Sequence, residues 1–182
     1  MEPAIGLIEL NSIARGIVTM DAMVKKAPVR VLDAMPVCPG KYMVLIAGEV
    51  APVESSMSAG LEVGGAYVID HLFLPQVHQQ VIPAILAVTE VEKLDALGII
   101  ETFSMASCIV AADRAAKTAN IQLIEVRLAK GLGGKAYLTL TGEIAEVEAA
   151  VSAGVEYVTS QGLLVTQVII PAPHEDLTEK IL

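Results

Sequence analysis

Apolar residues recur along the chain at spacings of three and four, which is the spacing of one face of a helix. The first stripe follows Ser12, a typical N-cap residue, and consists of Ile13, Ile17, Met20, Val24 and Ala27. The same pattern returns after Ser104, as Met105, Ile109, Ala112, Ala116 and Ala119. Each half of the chain is therefore predicted to contain a helix at this place.

A second helix is predicted in each half, and strand-like runs surround both helices. Pro52, favoured in a first helical turn, is followed by Val53, Met57 and Leu61, and the second half offers Val147, Val151 and Val155. Runs rich in apolar and β-branched residues lie at Ala4–Glu9, Val29–Leu32, Tyr42–Ala47 and Tyr67–Leu74. The order β-α-β-β-α-β predicts an α+β fold, a ferredoxin-like split βαβ sandwich with both helices on one face of an antiparallel sheet.

The two halves are copies of one another. Residues 4–87 return, with small insertions, as residues 96–182, and the offset between matching positions grows from 92 to 94 to 96. A repeat of this length corresponds to a whole domain rather than to a solenoid unit. The charged segment 87–96 is the predicted linker, so the predicted domains are residues 1–91 and 92–182.

Composition adds an expectation of self-association and excludes some partners. The chain is 54% hydrophobic, with a mean hydropathy of +0.61, yet no apolar run reaches the roughly 18 residues of a membrane span. Small domains with 3% aromatic residues cannot bury so much apolar surface internally, so we expect an obligate oligomer. A net charge of −9 argues against nucleic acid and anionic membranes as partners.

Candidate catalytic chemistry is missing from the sequence. We find no Ser-His-Asp order, no paired carboxylates in a known motif and no HExxH-type metal site, so we expect no enzyme activity. The run Gly131–Lys135 lacks the Ser or Thr that follows the lysine of a phosphate-binding loop, which argues against a nucleotide-binding regulator of PII-like fold. The N-terminus lacks a basic segment followed by an apolar core, so a cytoplasmic location is expected.

Several short motifs together resemble a known family. They are Ala-x-Gly-x-x-Glu at the start of each copy, Asp-Ala-Met-Val-Lys at 21–25, a Gly-Lys loop before each third strand and Pro-Ala-Pro-His at 171–174. In combination these motifs resemble the bacterial microcompartment shell domain, over nearly the whole chain. The resemblance implies a homotrimer that mimics a hexamer and tiles with other microcompartment shell proteins into a polyhedral shell around cytoplasmic enzymes.

The resemblance also implies roles for two lysines and two loops. Lys25 and Lys117 occupy the position of a lysine that packs across the tile edge, whereas without the family a solvated lysine at a helix end is the simpler interpretation. The loops before the third strands line the central pore in this family. The pore-loop residues implied here are Cys38, Pro39, Gly40, Gly131, Leu132, Gly133 and Gly134.

Cys38 is the main candidate for cofactor chemistry. Spacing alone favours an unligated loop cysteine, because no second cysteine lies within CxxC distance. Cys38-Pro39-Gly40, however, resembles the pore loop of the T-type tandem shell proteins of propanediol-utilisation microcompartments, which implies a [4Fe-4S] cluster held by three Cys38 thiolates on the trimer axis. The implied function is electron transfer or cluster delivery across the shell, with a redox enzyme as a further partner. The alternative is a shell subunit with a cluster-free metabolite pore.

Three other residues are expected to be structural. Cys108 lies in the small-residue run Met105–Cys108 and is predicted to be a packed, inert thiol. His78 and His174 follow a proline-containing turn in each copy and have no Asp, Glu or Cys at ligand spacing. We therefore expect the two histidines to serve in structure or at the tile edge rather than in catalysis or metal binding.

Overall fold

The computed structural model describes residues 3–181, which form two compact units, one ending at Val77 and the other beginning at His78. The first unit contains β1 (Ala4–Leu10), α1 (Ile13–Lys26), β2 (Arg30–Val37), β3 (Lys41–Gly48), α2 (Val50–Gly64) and β4 (Val68–Pro75). The second contains α3 (Val81–Ile85), β5 (Ala96–Thr102), α4 (Met105–Thr118), β6 (Gln122–Leu128), β7 (Ala136–Gly142), α5 (Ile144–Ser160), β8 (Leu164–Ile170) and α6 (Glu175–Ile181).

Each unit is built on one four-stranded antiparallel sheet, so the predicted α+β fold and the order β-α-β-β-α-β are confirmed. The strand order is β2-β3-β1-β4 in the first unit and β6-β7-β5-β8 in the second. The two registers agree as well, since Ala4 lies opposite Gly48 and Ala96 lies opposite Gly142. Among residues 3–181, no helix combines the length and apolarity needed to cross a bilayer.

The two long helices of each unit, α1 with α2 and α4 with α5, pack on the sheet and against each other. Glycines make this close packing geometrically possible. A Cβ added at Gly6 in β1 would lie 2.6 Å from Met57 Sδ, and one at Gly98 in β5 would lie 2.8 Å from Val151 Cγ2. The helices therefore lie close to the central strands. The side chains between them, mainly Ile, Leu, Val and Met, form a core from which water is excluded.

The predicted helix starts are confirmed at α1 and α4. The Oγ of Ser12 accepts a hydrogen bond from the Arg15 N–H at 3.3 Å. The Oγ of Ser104 accepts one from the Ser107 N–H, also at 3.3 Å. Each serine thereby satisfies one of the backbone donors that a helix leaves without an internal partner.

The apolar stripe of α1 does not lie in the core of its unit. Ile13, Ile17 and Val24 are exposed, and the buried positions of this helix are Gly16, Thr19 and Met23. In α4 the matching stripe is buried, at Met105, Ile109, Ala112 and Ala116. Two helices of equal length and pattern therefore differ in how much of their apolar surface is covered.

Three features differ from the sequence-based expectation. Strand β2 runs on to Val37 instead of ending at Leu32, because it is an edge strand, where Pro36 need not donate a backbone hydrogen bond. The short helices α3 and α6 follow the last strand of each copy and were not predicted.

The predicted division between residues 91 and 92 follows the sequence repeat and stays a prediction for the two domains. By packing alone, the segment from His78 onward belongs to the second unit. The reason is that α3 contacts β6 and α4. The compact units and the sequence repeats therefore have different boundaries.

Candidate metal-binding loop

Cys38 lies at the tip of the hairpin that joins β2 to β3. The last strand pair of this hairpin is Val37 opposite Lys41, which leaves Cys38, Pro39 and Gly40 to form the turn. All three turn residues are exposed. Gly40 has φ = 78°, a conformation that glycine adopts without the steric cost paid by other residues. The hairpin therefore presents the Cys38 thiol to solvent at its end.

The matching hairpin of the second copy is longer and carries no thiol. It joins β6 to β7 through a loop rich in glycine, in which Gly131, Gly133 and Gly134 have φ values of 72°, 63° and 92°. Two backbone hydrogen bonds close the loop at its base, from Ala129 N–H to Lys135 O and from Lys135 N–H to Leu132 O, both 3.2 Å. The two predicted pore loops are thus ordered turns of different length and chemistry.

The sequence pattern did not predict the ion pair at the base of each hairpin. The Nζ of Lys41 lies 2.6 Å from Glu9 Oε1, and the Nζ of Lys135 lies 2.8 Å from Glu101 Oε1. The carboxylate of Glu9 is nearly buried, whereas Lys41 is partly exposed. Each pair ties the residue just after the turn to a neighbouring strand, β1 or β5. The sequence did contain an indication of these pairs, because Glu9 repeats as Glu101 and Gly40-Lys41 repeats as Gly134-Lys135.

Replacing Lys41 with methionine is expected to cost about 1–3 kcal/mol of unfolding free energy, because it leaves the buried Glu9 carboxylate without its partner. Lys25→Met is the matched control. Its pair with Asp21 joins two exposed side chains one helical turn apart, so its loss should cost less than about 0.5 kcal/mol. Urea unfolding followed by circular dichroism would measure both. Equal losses in the two variants would contradict a structural role for the Lys41–Glu9 pair.

One chain supplies Cys38 as a single thiol and not as a complete ligand set. Residues 3–181 contain no cluster of three or more His, Cys, Asp or Glu side chains that could hold a metal ion. A thiol at the end of an exposed turn suits the donor chemistry of iron–sulfur centres, which are held by cysteine thiolates. The donor type therefore fits such a centre, and the donor number requires the same residue from other chains.

Cys108 is fully buried in α4, as predicted for a packed thiol. Burial raises the pKa of the Cys108 thiol to about 12, and a hydrogen bond with Thr102 opposes this shift only in part. The thiolate is the nucleophile and the metal ligand, so a thiol that stays protonated at neutral pH is inert. The two cysteines are consequently unequal in chemistry as well as in position.

Iodoacetamide at pH 8 is expected to alkylate Cys38 and to leave Cys108 unmodified in the native protein. The reason is that Cys38 is exposed, whereas Cys108 is both buried and held in its thiol form. Intact-mass spectrometry should show one added group per native chain and two per chain in urea. Native-state alkylation of Cys108 at a similar rate would contradict this assignment.

The two lysines with a predicted tile-edge role lie in the last turn of α1 and α4. Lys25 pairs with Asp21 at 2.6 Å, and Lys117 pairs with Asp113 at 2.7 Å, each one helical turn earlier. The side chain of Lys25 is the more exposed of the two. The conserved geometry of the two copies places both lysines on their helix surfaces, and the edge role stays a prediction.

His78 and His174 make the same local contact, at the entry to α3 and α6. The Nδ1 of His78 accepts a hydrogen bond from the Gln80 N–H at 3.4 Å, and the Nδ1 of His174 accepts one from the Asp176 N–H at 3.2 Å. These bonds order the first turn of each short helix. The contact supports the expected structural role of the two histidines.

The chain repeats one fold twice, and each copy has an ordered hairpin between its second and third strands. Comparison with known families agrees, since the BMC domain matches residues 4–77 and 96–173. The chain therefore belongs to the BMC domain family, and it carries two copies of that domain.

Its relatives are shell proteins. The chain is 41% identical to the bacterial microcompartment shell protein PduT of Citrobacter freundii, over 100% of this chain and 99% of that protein. It is 36% identical to the shell protein EutM of Salmonella typhimurium, over 47% of this chain and 88% of EutM. The crystal structure of a microcompartments protein from Desulfitobacterium hafniense DCB matches with a TM-score of 0.93 and 55% identity, over 97% of this chain and 98% of that one. The chain is accordingly a structural shell protein and not an enzyme.

Proposed function

We propose that three chains assemble around a shared opening in the shell and that their three Cys38 thiolates hold a [4Fe-4S] cluster there. The observation that carries this proposal is the exposed thiol at the end of the β2–β3 hairpin. The family resemblance implies that this loop lines the pore. A threefold axis brings three equivalent side chains together, which creates a ligand set that one chain lacks.

The residues of the hairpin would serve the cluster in distinct ways. Cys38 would supply one thiolate per chain, while the Lys41–Glu9 pair at 2.6 Å fixes the base of the hairpin and so limits the movement of its tip. Three such thiolates would hold three irons and would leave the fourth iron for water, a small ligand or a side chain of a partner. When bound, such a cluster supplies one-electron transfer. The proposed role is electron transfer or cluster delivery between the lumen and the cytoplasm, with a redox enzyme on one side.

A second candidate function is a subunit whose opening passes a small metabolite without a cluster. The loop at 131–134 favours this possibility, because three of its four residues are glycines and have no side chain that could fill an opening. A loop with so few side chains would leave space for a small molecule to pass. Both candidates share the shell role and differ only in what occupies the pore.

Anaerobic reconstitution with iron and sulfide distinguishes the two candidates. The first predicts a brown protein with roughly four irons and four sulfides for every three chains, and a reduced-state EPR signal from a cluster held by cysteine. Analytical ultracentrifugation of the same sample measures the number of chains. A colourless, iron-free trimer after reconstitution would overturn the cluster and leave the metabolite pore.

A further inference from the structure

The first repeat has an uncovered helix face whose counterpart in the second repeat is covered. Ile17 in α1 is 54% exposed, whereas Ile109, at the matching position of α4, is 0% exposed. The acidic residues one turn later differ in the same way, since the side chain of Asp21 is 57% exposed and that of Asp113 is 6% exposed. The second repeat therefore shows how the exposed face of α1 would be buried if another segment packed on it.

The cover of α4 is the segment His78–Ile85, which follows β4 after Gln76 and Val77. The His78 N–H donates to Asp113 Oδ1 at 2.7 Å. The side chain of Gln80 makes two bonds at the edge strand β6, donating to Ile121 O at 3.0 Å and accepting from the Leu123 N–H at 2.8 Å. Val81 of the same segment is fully buried. The segment thus combines helix packing with hydrogen bonds to a strand edge.

The second repeat ends in an equivalent segment, His174–Ile181, in which none of the α6 residues is buried. It begins with the same histidine contact, from the Asp176 N–H to His174 Nδ1. Leu177 takes the place of Val81 in the repeat and is only half-buried. In each chain, α3 packs on α4, whereas the equivalent helix α6 has no buried residue. The face of α1 and β2 that corresponds to the covered face of α4 and β6 is uncovered.

We infer that the segment His174–Ile181 of each chain docks on α1 and β2 of a second copy of the chain. The contacts repeat those of the segment His78–Ile85 on α4 and β6. Asp21 then accepts the backbone N–H of the partner subunit's His174, and Ile17 is covered as Ile109 is. Burial of the apolar stripe of α1 supplies the driving force for this contact.

This contact is head-to-tail, because each chain offers one segment and one different face. Such heterologous contacts close into rings when the rotation between neighbours allows it. The inference rests on the proposed function only for the number of chains in the ring. It adds the surface by which neighbouring chains recognise each other, and it requires neither iron nor an open pore.

Four single substitutions to aspartate test the contact. Ile17→Asp and Leu177→Asp place a charge in the proposed interface, on the face and on the segment respectively. The matched controls are Val18→Asp, at an equally exposed neighbour on α1 (49%), and Thr178→Asp, next to Leu177. Native mass spectrometry and analytical ultracentrifugation of the full chain, at equal concentration, measure the number of chains in each assembly. Circular dichroism confirms that each variant is folded.

We expect Ile17→Asp and Leu177→Asp to be folded single chains, with at least a tenfold loss of assembled protein, and both controls to assemble like the wild type. Assembly of either interface variant at the wild-type level overturns the inference, and so does equal loss in the controls. An unassembled wild type also overturns it. If the interface variants behave as expected while the wild type binds no iron, the docking surface stands and only the cluster is lost.

Discussion

Cys38→Ser is expected to reduce the iron content of the reconstituted protein to the background level, with complete loss of the brown colour and of the EPR signal. Serine removes the one thiolate that each chain offers, so all three cysteine ligands disappear together. The effect is therefore all-or-none, whereas a site built from different residues would lose its ligands one at a time. Iron and acid-labile sulfide, measured per chain after anaerobic reconstitution, give the result.

Cys108→Ser is the matched control, because it changes the same atom at a fully buried position in α4. Its iron content should equal that of the wild type. Native mass spectrometry shows whether Cys38→Ser still assembles, which separates the loss of a ligand from the loss of the trimer. Equal iron in wild type and Cys38→Ser would refute the assignment of Cys38 as the ligand.

Gly154→Val should lower the unfolding free energy of the second unit by about 1–3 kcal/mol, through overpacking between α4 and α5. A Cβ at Gly154 would lie 3.1 Å from the backbone oxygen of Ala111 and 2.8 Å from Ile100 Cδ1. The side chain of Ile100 can move, but the backbone of α4 can yield only if the two helices separate. This cost exceeds the gain in helix propensity, which is less than about 1 kcal/mol because valine is itself a weaker helix former than alanine.

Ala149→Val provides the comparison for Gly154→Val, since it introduces the same residue into α5 at an exposed position. Only the weak helix propensity of valine acts there, so a change of roughly 0.5 kcal/mol is expected. Thermal unfolding of both variants, with urea unfolding for the free energies, measures the difference. Similar midpoints for the two variants would show that α4 and α5 separate more easily than the Ala111 contact indicates.

The repeated pattern of apolar residues was sufficient to predict the order of the main elements, because each helix and strand contains a full period of its own pattern. The helices α3 and α6 have five and seven residues, too few for an apolar stripe to stand out. The exposure of Ile17 was equally beyond prediction. Periodicity identifies an apolar face, but what covers that face depends on a segment distant in the sequence.

The site was predicted in part. The strand pattern placed Cys38 in the loop before the third strand, and the small neighbours of Cys108 indicated that it is buried. The three-residue turn was not predicted, because β2 extends to Val37. The Lys41–Glu9 pair was not predicted either, because its two residues are 32 positions apart and meet only through the register between β1 and β3. Recognising that pair requires knowing which strands are neighbours, and β3 lies between β1 and β2 in space.

Because two unequal repeats are joined in one polypeptide, their two hairpins can differ in sequence. The hairpins of a symmetric assembly of single-repeat chains must all be identical. In such assemblies every subunit has the same turn, so any substitution is multiplied by the full number of subunits. Here the turn at 38–40 can keep an exposed thiol while the longer turn at 130–135 changes in length and glycine content. Genetic fusion thus allows selection to act independently on the two hairpins of one chain.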